Sequence, residues 1–511
     1  MTESLLMIHT IYQRPRLFFA AFIVALTCLN WLFPDIMPFH QGFGFEGYTI
    51  YKPLAVDLKQ YLITTPVNSY SVQRIFPYVL LHTFFKVFGI AFSDVNMILF
   101  FQIFFLLLAL LIIQVWSALG KKLHLELPGQ WVGYLSLIIN FATLKHDFYI
   151  PFTYDRLALA SGLISFYCYL SNRPGWLLLN SLIALTIWPT ALFFNSILLL
   201  IPATERIPTT SNPLLARFWA VGIASAICGL FTVVIYVRHI PAPMHLATPI
   251  YPLIPIGILV TAVYLLYAQA SLARQLLPAW SNLLPWLGHL LRPRLAWAGV
   301  VLLIGAYRLL THKLGDPTQA LLSPQAYAIN LTFGALQRPA QFIFCHIIYY
   351  GLPVLLLLLF WRRALNAVNR LGLGSGVILV VVLIQAVNSE TRQMANVLPL
   401  LALLAALLAD ELRPRPIVVA LTAFVTFIIS KGWLPFNRFS PMYGQPDDIF
   451  PMFGFERGNF LEWPQQVYFM NFGPWTATRY LALQAGILLV VAALLYWWWQ
   501  PSKDAAKHKI A

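Results

Sequence analysis

Three carboxylates between residues 34 and 90 are the first side chains in this sequence that could do chemistry. Asp35, Glu46 and Asp57 follow a long apolar segment and stand among aromatic residues. A carboxylate beside an apolar surface gains proton affinity, which suits a general base. Asp57 is therefore the first catalytic candidate. The alternative is a solvated loop acid that pairs with Lys59.

A second group of charged residues lies between residues 145 and 156. It comprises Lys145, His146, Asp147, Asp155 and Arg156. Acids and bases mixed at adjacent membrane edges can bind a phosphate or a sugar hydroxyl. The alternative is interfacial snorkelling, with Asp155 as a helix N-cap. A cation site needs several oxygen ligands that the sequence does not identify, so no metal ligand is predicted and a divalent cation is left open.

Glu390 and Arg392 form a third candidate group, at the end of an apolar segment. Arginine is the side chain suited to bidentate recognition of phosphate. Charged groups at a helix end near a bilayer are costly unless they are paired or hydrated. The two residues could therefore bind a phosphate, or they could form a local ion pair with each other.

The elements that position these residues are predicted to be transmembrane helices. Of the 511 residues, 59% are hydrophobic and 10% are charged, against about 25% charged in a soluble domain. The net charge of +15 is attributed to positively charged cytosolic loops and not to a nucleic-acid partner. The four cysteines lie far apart in apolar segments, so neither a disulfide framework nor a structural metal is expected.

We predict an all-α polytopic membrane protein, a single transmembrane domain over residues 1–511 with about 14 spans and both termini cytoplasmic. Two long loops would lie outside, 34–90 and 431–479. The first would carry a surface helix over 76–90, with His82 and Lys86 on one face. The predicted spans are about 17–33, 95–119, 129–144, 157–171, two short limbs within 175–203 broken at Trp188-Pro189-Thr190, 218–237, 252–269, 295–310, 341–360, 374–388, 396–410, 416–430 and 480–498.

This layout resembles the GT-C superfamily of polytopic glycosyltransferases, in particular the dolichyl-phosphate-mannose-dependent and lipid A aminoarabinose transferase types. The likeness covers roughly residues 15 to 410. The positions that carry it are Asp57 with Tyr61 four residues later, a Pro-containing surface helix from Pro77 to Phe88-Gly89, Asp155 in Tyr154-Asp155-Arg156-Leu157-Ala158-Leu159, and Glu390-Thr391-Arg392 before Pro399.

The resemblance implies inverting transfer of a sugar from a polyprenyl-phosphate donor on the outer face, in a bacterial inner membrane. Asp57 would be the general base, and cations such as Arg392 would hold the leaving lipid phosphate. The paired-acid signature of metal-dependent members is absent, so no cofactor is expected. The acceptor, a lipid, glycan or protein, is not specified. The candidate substrate-binding residues are Asp155, Arg392, Glu390, Lys145, Arg74, Tyr61 and Asp147.

Two other functions stay open at this point. A transporter or flippase of a lipid-linked saccharide would show inverted repeats and broken helices with polar groups at mid-membrane. The charges of this chain instead lie at the predicted helix ends, and no repeat is evident. A non-catalytic member of the fold is the third hypothesis.

Overall fold

The protein is described by a computed structural model. The described residues are 12–37, 42–44, 46–205, 212–243, 249–278, 282–290, 295–316, 324–434 and 478–500. Most of the predicted outer loop 431–479 falls outside them. The described chain is helical, and its one recorded β-bridge joins Asn68 to Asp316. The all-α prediction is therefore confirmed for this part of the chain.

The first part of the chain contains one helix of 29 residues, Asp94–Lys122, among shorter helices. Asp94–Lys122 begins at an N-cap, where the Ser93 hydroxyl accepts from the backbone N–H of Asn96, and it ends with two lysines that complement the helix dipole. The helices and single turns in this part are Pro15–Leu32, Gly47–Tyr51, Lys52–Val56, Gln60–Thr64, Ser69–Val72, Phe76–Phe88, Asp94–Lys122, Leu127–Ile138, Ala142–His146, Asp147–Tyr149 and Asp155–Leu170.

The second part follows the predicted apolar segments, with one interruption that was not predicted and two helices, Leu283–Leu290 and Pro324–Leu336, outside the predicted spans. The limbs of 175–203 are separated at residues 185–190, as Pro189 indicated. The helices and single turns are Pro174–Ala184, Ala191–Leu200, Pro213–Thr232, Val233–Val237, Tyr251–Leu253, Ile254–Leu276, Leu283–Leu290, Leu295–Lys313, Pro324–Leu336, Gln341–Tyr350, Leu352–Leu359, Trp361–Asn366, Val368–Leu371, Leu373–Gln385, Thr391–Met394, Leu398–Leu412, Pro416–Ser430 and Thr478–Trp498.

The prediction of a continuous span over 341–360 was wrong. Gly351 divides it into two helices, with a backbone φ of 87° that a residue with a side chain rarely adopts. The chain then bends by 90° between Leu352–Leu359 and Trp361–Leu371. The overlooked signal was local, because Pro353 stands two residues after the glycine and favours the start of a new helix.

Several long apolar helices indicate a membrane-embedded protein. Six helices in the described ranges are long and apolar enough to cross a membrane, or seven if the bent pair counts as one span. The six are Pro15–Leu32, Asp94–Lys122, Pro213–Val237, Tyr251–Leu276, Leu295–Lys313 and Leu481–Trp498. Phe76–Phe88, the predicted surface helix, has 13 residues and falls short of this length; it ends at Gly89, whose φ is 63°.

Close packing at Gly162 places the helix that carries several candidate residues. A Cβ atom at Gly162 would collide with the backbone of Asn396. The glycine therefore allows helix Asp155–Leu170 to approach the segment that follows Arg392. Asp155, two turns before Gly162, is thereby brought beside Arg392, 237 residues later in the chain.

Candidate functional site

Two neighbouring residues at the start of helix Asp155–Leu170 each bind an arginine from a distant part of the chain. The Asp155 carboxylate accepts two hydrogen bonds from Arg392, from Nε at 2.8 Å and from Nη2 at 3.2 Å. The Tyr154 hydroxyl accepts a hydrogen bond from Arg74. The guanidinium groups of Arg74 and Arg392 therefore both lie at the start of this helix, although each also contacts a carboxylate.

Arg392 and Asp155, which we call the open pair, combine a buried acid with a base that reaches a surface. The Asp155 side chain is 4% exposed, and that of Arg392 is 24% exposed. Burial acts to lower the pKa of the Arg392 guanidinium, but the facing Asp155 carboxylate outweighs it and holds the pKa well above its usual value. Arg392 is therefore a permanent cation, and part of its side chain is exposed.

Glu46, which precedes the turn Gly47–Tyr51, forms an ion pair with Arg74. The Arg74 Nη1 atom lies 3.3 Å from the Glu46 carboxylate, which also accepts a hydrogen bond of 3.2 Å from the Tyr154 hydroxyl. The Arg74 guanidinium lies over the rings of Tyr70, Tyr154 and Trp188. The Glu46 side chain is 48% exposed. A half-exposed carboxylate thus contacts one of the two guanidinium groups directly.

Arg156 and Asp147, which we call the closed pair, are enclosed. The Arg156 Nε atom donates to Asp147 at 2.7 Å, and the two terminal nitrogens donate to the carbonyl oxygens of Phe105 and Thr143 at 2.9 and 2.6 Å. The side chains are 1% and 3% exposed. The Nδ1 atom of His146 lies 3.3 Å from Asp147 and 3.5 Å from Asp155, so it connects the closed pair to the open pair.

The remaining candidates occupy separate positions. Lys145 donates to Asp35 and to the Leu434 carbonyl oxygen and is buried. The Asp57 carboxylate is exposed and accepts from the backbone N–H of Gln60 at 3.0 Å, so it contacts neither Arg74 nor Arg392. Tyr61 is half-buried, with its backbone N–H donating to the Asp57 carbonyl at 3.3 Å. The Glu390 carboxylate accepts from the Gln393 side chain at 2.5 Å.

The ionic site therefore contains some predicted residues and one that sequence analysis did not select. Asp155, Arg392, Arg74 and Asp147 come together through direct contacts and through His146 and Tyr154. Glu46 belongs to this network, yet the sequence showed it only as one of three loop acids. Nothing in its neighbours in sequence distinguishes it from Asp57, because its partners Arg74 and Tyr154 lie 28 and 108 residues away.

An apolar groove lies next to the turn that carries Arg392. Its walls come from the helices Ile254–Leu276, Gln341–Tyr350, Leu352–Leu359, Leu373–Gln385 and Leu398–Leu412. Met394, two residues after Arg392, forms part of this wall. Tyr350 lines the groove and also a smaller cavity that contains Asp147 and Asp155. The groove and the ionic site are thus neighbours separated by one aromatic side chain.

The described residues contain no group of three or more His, Cys, Asp or Glu side chains that could hold a metal ion. The chemistry available to this site is anion binding by guanidinium groups, proton acceptance by a carboxylate and apolar binding in the groove. No family model, characterised protein sequence or solved structure matches this chain at a significant level.

Proposed function

We propose that this protein is a membrane glycosyltransferase that moves a sugar from a polyprenyl-phosphate donor to an acceptor hydroxyl. One observation carries the proposal: an apolar groove is lined by Met394, two residues after the partly exposed Arg392. A polyprenyl-phosphate sugar has the matching parts, a long apolar chain joined to an anion. The groove would bind the isoprenoid chain, and Arg392 would bind the phosphate.

In the proposed reaction, a carboxylate accepts the proton of the acceptor hydroxyl while the oxygen of that hydroxyl attacks the anomeric carbon of the donor sugar. The bond between that carbon and the phosphate oxygen breaks, its electron pair stays on the phosphate, and the sugar's configuration inverts. Arg392 and Arg74 stabilise the negative charge that develops on the leaving lipid phosphate. Because the phosphate is already a good leaving group, the donor needs no separate acid.

Glu46 and Asp57 are the two candidates for the base. Glu46 is favoured because it contacts Arg74 and Tyr154, next to the open pair, and because its half-exposed carboxylate is accessible to an acceptor hydroxyl. Asp57 carries the resemblance to GT-C glycosyltransferases, but its recorded contact is with the backbone of Gln60. In this proposal Asp57 and Tyr61, in the loop 34–90, line the entrance to the ionic site.

The proposal includes the finer topology. The chain would have about 14 spans in a GT-C-like arrangement, with both termini in the cytoplasm of a bacterium and the ionic site on the outer face of the inner membrane. Helix Phe76–Phe88 would lie on the membrane surface. Its exposed apolar residues support this placement: Phe84, Val87 and Phe88 all face outward. Glu390, Lys145 and Asp147 would support or contact the donor's head group.

The test uses purified protein and a radiolabelled sugar on polyprenyl phosphate, with envelope lipids and glycans as the acceptor pool. Wild-type protein should release free polyprenyl phosphate and label the acceptor. Glu46→Gln, which keeps the shape of the side chain, should lower the rate about 100-fold or more, and Asp57→Asn should lower it less. A rate unchanged in Glu46→Gln and lost in Asp57→Asn would return the base to Asp57. Wild-type protein without transfer would refute the proposal.

Transport of a lipid-linked saccharide is the second candidate function, and the broken helices favour it. Gly351 interrupts one apolar segment, and the chain bends by 90° at Phe360, both beside the groove. Discontinuous helices are typical of transporter sites. Proteoliposomes separate the two functions: a flippase would move the intact lipid-linked sugar across the bilayer, whereas the glycosyltransferase would split it.

A further inference from the structure

The short turn Thr391–Met394, which carries Arg392, is fastened to the wall of the apolar groove. The Tyr350 hydroxyl donates to the carbonyl oxygen of Thr391 at 2.9 Å. The His346 Nδ1 atom lies 3.1 Å from the Thr391 hydroxyl oxygen. Both backbone and side chain of Thr391 are therefore tied to one helix, Gln341–Tyr350.

The direction of the histidine bonds follows from their partners. The Nε2 atom of His346 lies 2.7 Å from the Ala386 carbonyl oxygen, which can only accept, so Nε2 carries a hydrogen. In the neutral ring Nδ1 then accepts from the Thr391 hydroxyl. The Thr391 hydroxyl has one hydrogen, and the Ser389 carbonyl oxygen at 3.2 Å competes with His346 for it, so the link uses a shared donor.

The residues that fasten the turn also line the groove. His346 and Tyr350 are both part of its wall, as is Met394 at the other end of the turn. The turn itself is a single 3₁₀ turn of four residues, a form with poorer hydrogen-bond geometry than an α-helix. Its conformation, and with it the direction of the Arg392 guanidinium, therefore depends on these external bonds.

We propose that His346 and Tyr350 are positioning residues that couple an isoprenoid chain in the groove to the phosphate-binding geometry of Arg392. This inference rests on the proposed function, and it makes the isoprenoid chain of the donor a determinant of the turnover rate. A chain that packs against both side chains fixes Thr391 and hence the next residue, Arg392. A shorter chain that does not reach them leaves the turn less constrained. The long donor should then react faster once bound and not only bind more tightly.

The first test compares two donors with the same phosphate and sugar, one on a long polyprenyl chain and one on a two-isoprene chain. Wild-type kcat should be at least about tenfold higher for the long donor, since misplacement of a binding group can cost up to about 100-fold. Thr391→Val removes the hydroxyl at nearly equal volume and Tyr350→Phe removes the other bond. Each should bring kcat for the long donor close to that for the short one and change the short-donor rate less than about twofold.

Thr391→Ser is the matched control, because it keeps the hydroxyl and should retain the wild-type preference in kcat. A merely structural role would lower both rates by the same factor in Thr391→Val. Equal losses on both donors, or a wild-type rate ratio in Thr391→Val, would overturn the proposal.

A binding measurement separates this inference from the transferase proposal. Polyprenyl phosphate without sugar is titrated against wild type, Thr391→Val, Arg392→Gln and the double variant. If the two residues are coupled, Thr391→Val lowers the affinity in the wild-type background but not in the Arg392→Gln background. The effects of the two substitutions are then non-additive in a double-mutant cycle. If the losses in affinity are non-additive but no sugar is transferred, the glycosyltransferase proposal is refuted and the proposed coupling stands. Additive losses, or no binding of the lipid phosphate, would refute the coupling.

Discussion

The closed pair and the open pair use the same two side-chain types in one ionic network, yet they differ in enclosure. Arg156 is 1% exposed, and three of its nitrogens bind an acid and two backbone carbonyls. Arg392 is 24% exposed and presents its fork to Asp155 along one edge. The comparison shows that one charged cluster can combine an enclosed arginine with an arginine that reaches the protein surface.

The two pairs also differ in the parts of the chain that they join. Asp147 and Arg156 are nine residues apart, so the closed pair holds one local turn in place. Asp155 and Arg392 are 237 residues apart, and the open pair joins distant helices next to the groove. His146 touches the acids of both pairs, so a change in one pair can reach the other through a single ring.

Breaking the closed pair should have the largest effect on stability. Arg156→Met leaves the buried Asp147 carboxylate and two carbonyl oxygens without their donor, so the free energy of unfolding should fall by about 3–5 kcal/mol. Denaturant or thermal unfolding in detergent measures it. Adding Asp147→Asn to Arg156→Met should restore part of the loss. A single variant as stable as wild type would show that the pair does not anchor the fold.

Breaking the open pair should affect activity more than stability. Arg392→Gln should lower kcat about 100- to 1,000-fold, the usual cost of removing one charge-stabilising donor, while the protein still purifies as a folded monodisperse species. Arg392→Lys, which keeps the charge and loses the fork, should fall between. If Arg392→Gln unfolds as readily as Arg156→Met, the two pairs do not differ in role.

A third pair, Lys145 with Asp35, sharpens the comparison through its pH dependence. Burial lowers the pKa of Lys145 below its usual 10.5, although Asp35 works in the opposite direction. Between the lowered value and 10.5 the unfolded chain binds more protons, so this lysine favours folding increasingly as pH rises. The difference in unfolding midpoint between wild type and Lys145→Met should shift in favour of wild type from neutral pH to about 10. A flat or opposite trend would contradict the assignment.

The sequence was a good guide to segments and a poor guide to partners. Composition and apolar runs predicted the helical segments, and Pro189 marked a real break, since proline acts through its own backbone. Gly351 was missed because a lone glycine in an apolar stretch resembles many that do not interrupt a helix. The number of spans could not be derived, because several apolar helices are shorter than a bilayer requires.

The site illustrates the same limit at the level of single residues. Residue type drew attention to Asp155 and Arg392 as ionic groups at helix ends. It could not indicate that Asp155 would face Arg392, because a pair so distant in sequence is created by tertiary packing at Gly162. For the same reason Asp57 and Glu46 looked alike until Glu46 was found in contact with Arg74.

The most direct test of the central claim is a structure of the protein determined with polyprenyl phosphate. We expect the phosphate to lie within about 3 Å of the Arg392 guanidinium, with the isoprenoid chain in the groove past Tyr350 and His346. A phosphate bound away from Arg392, or a chain outside the groove while the phosphate is bound, would contradict it.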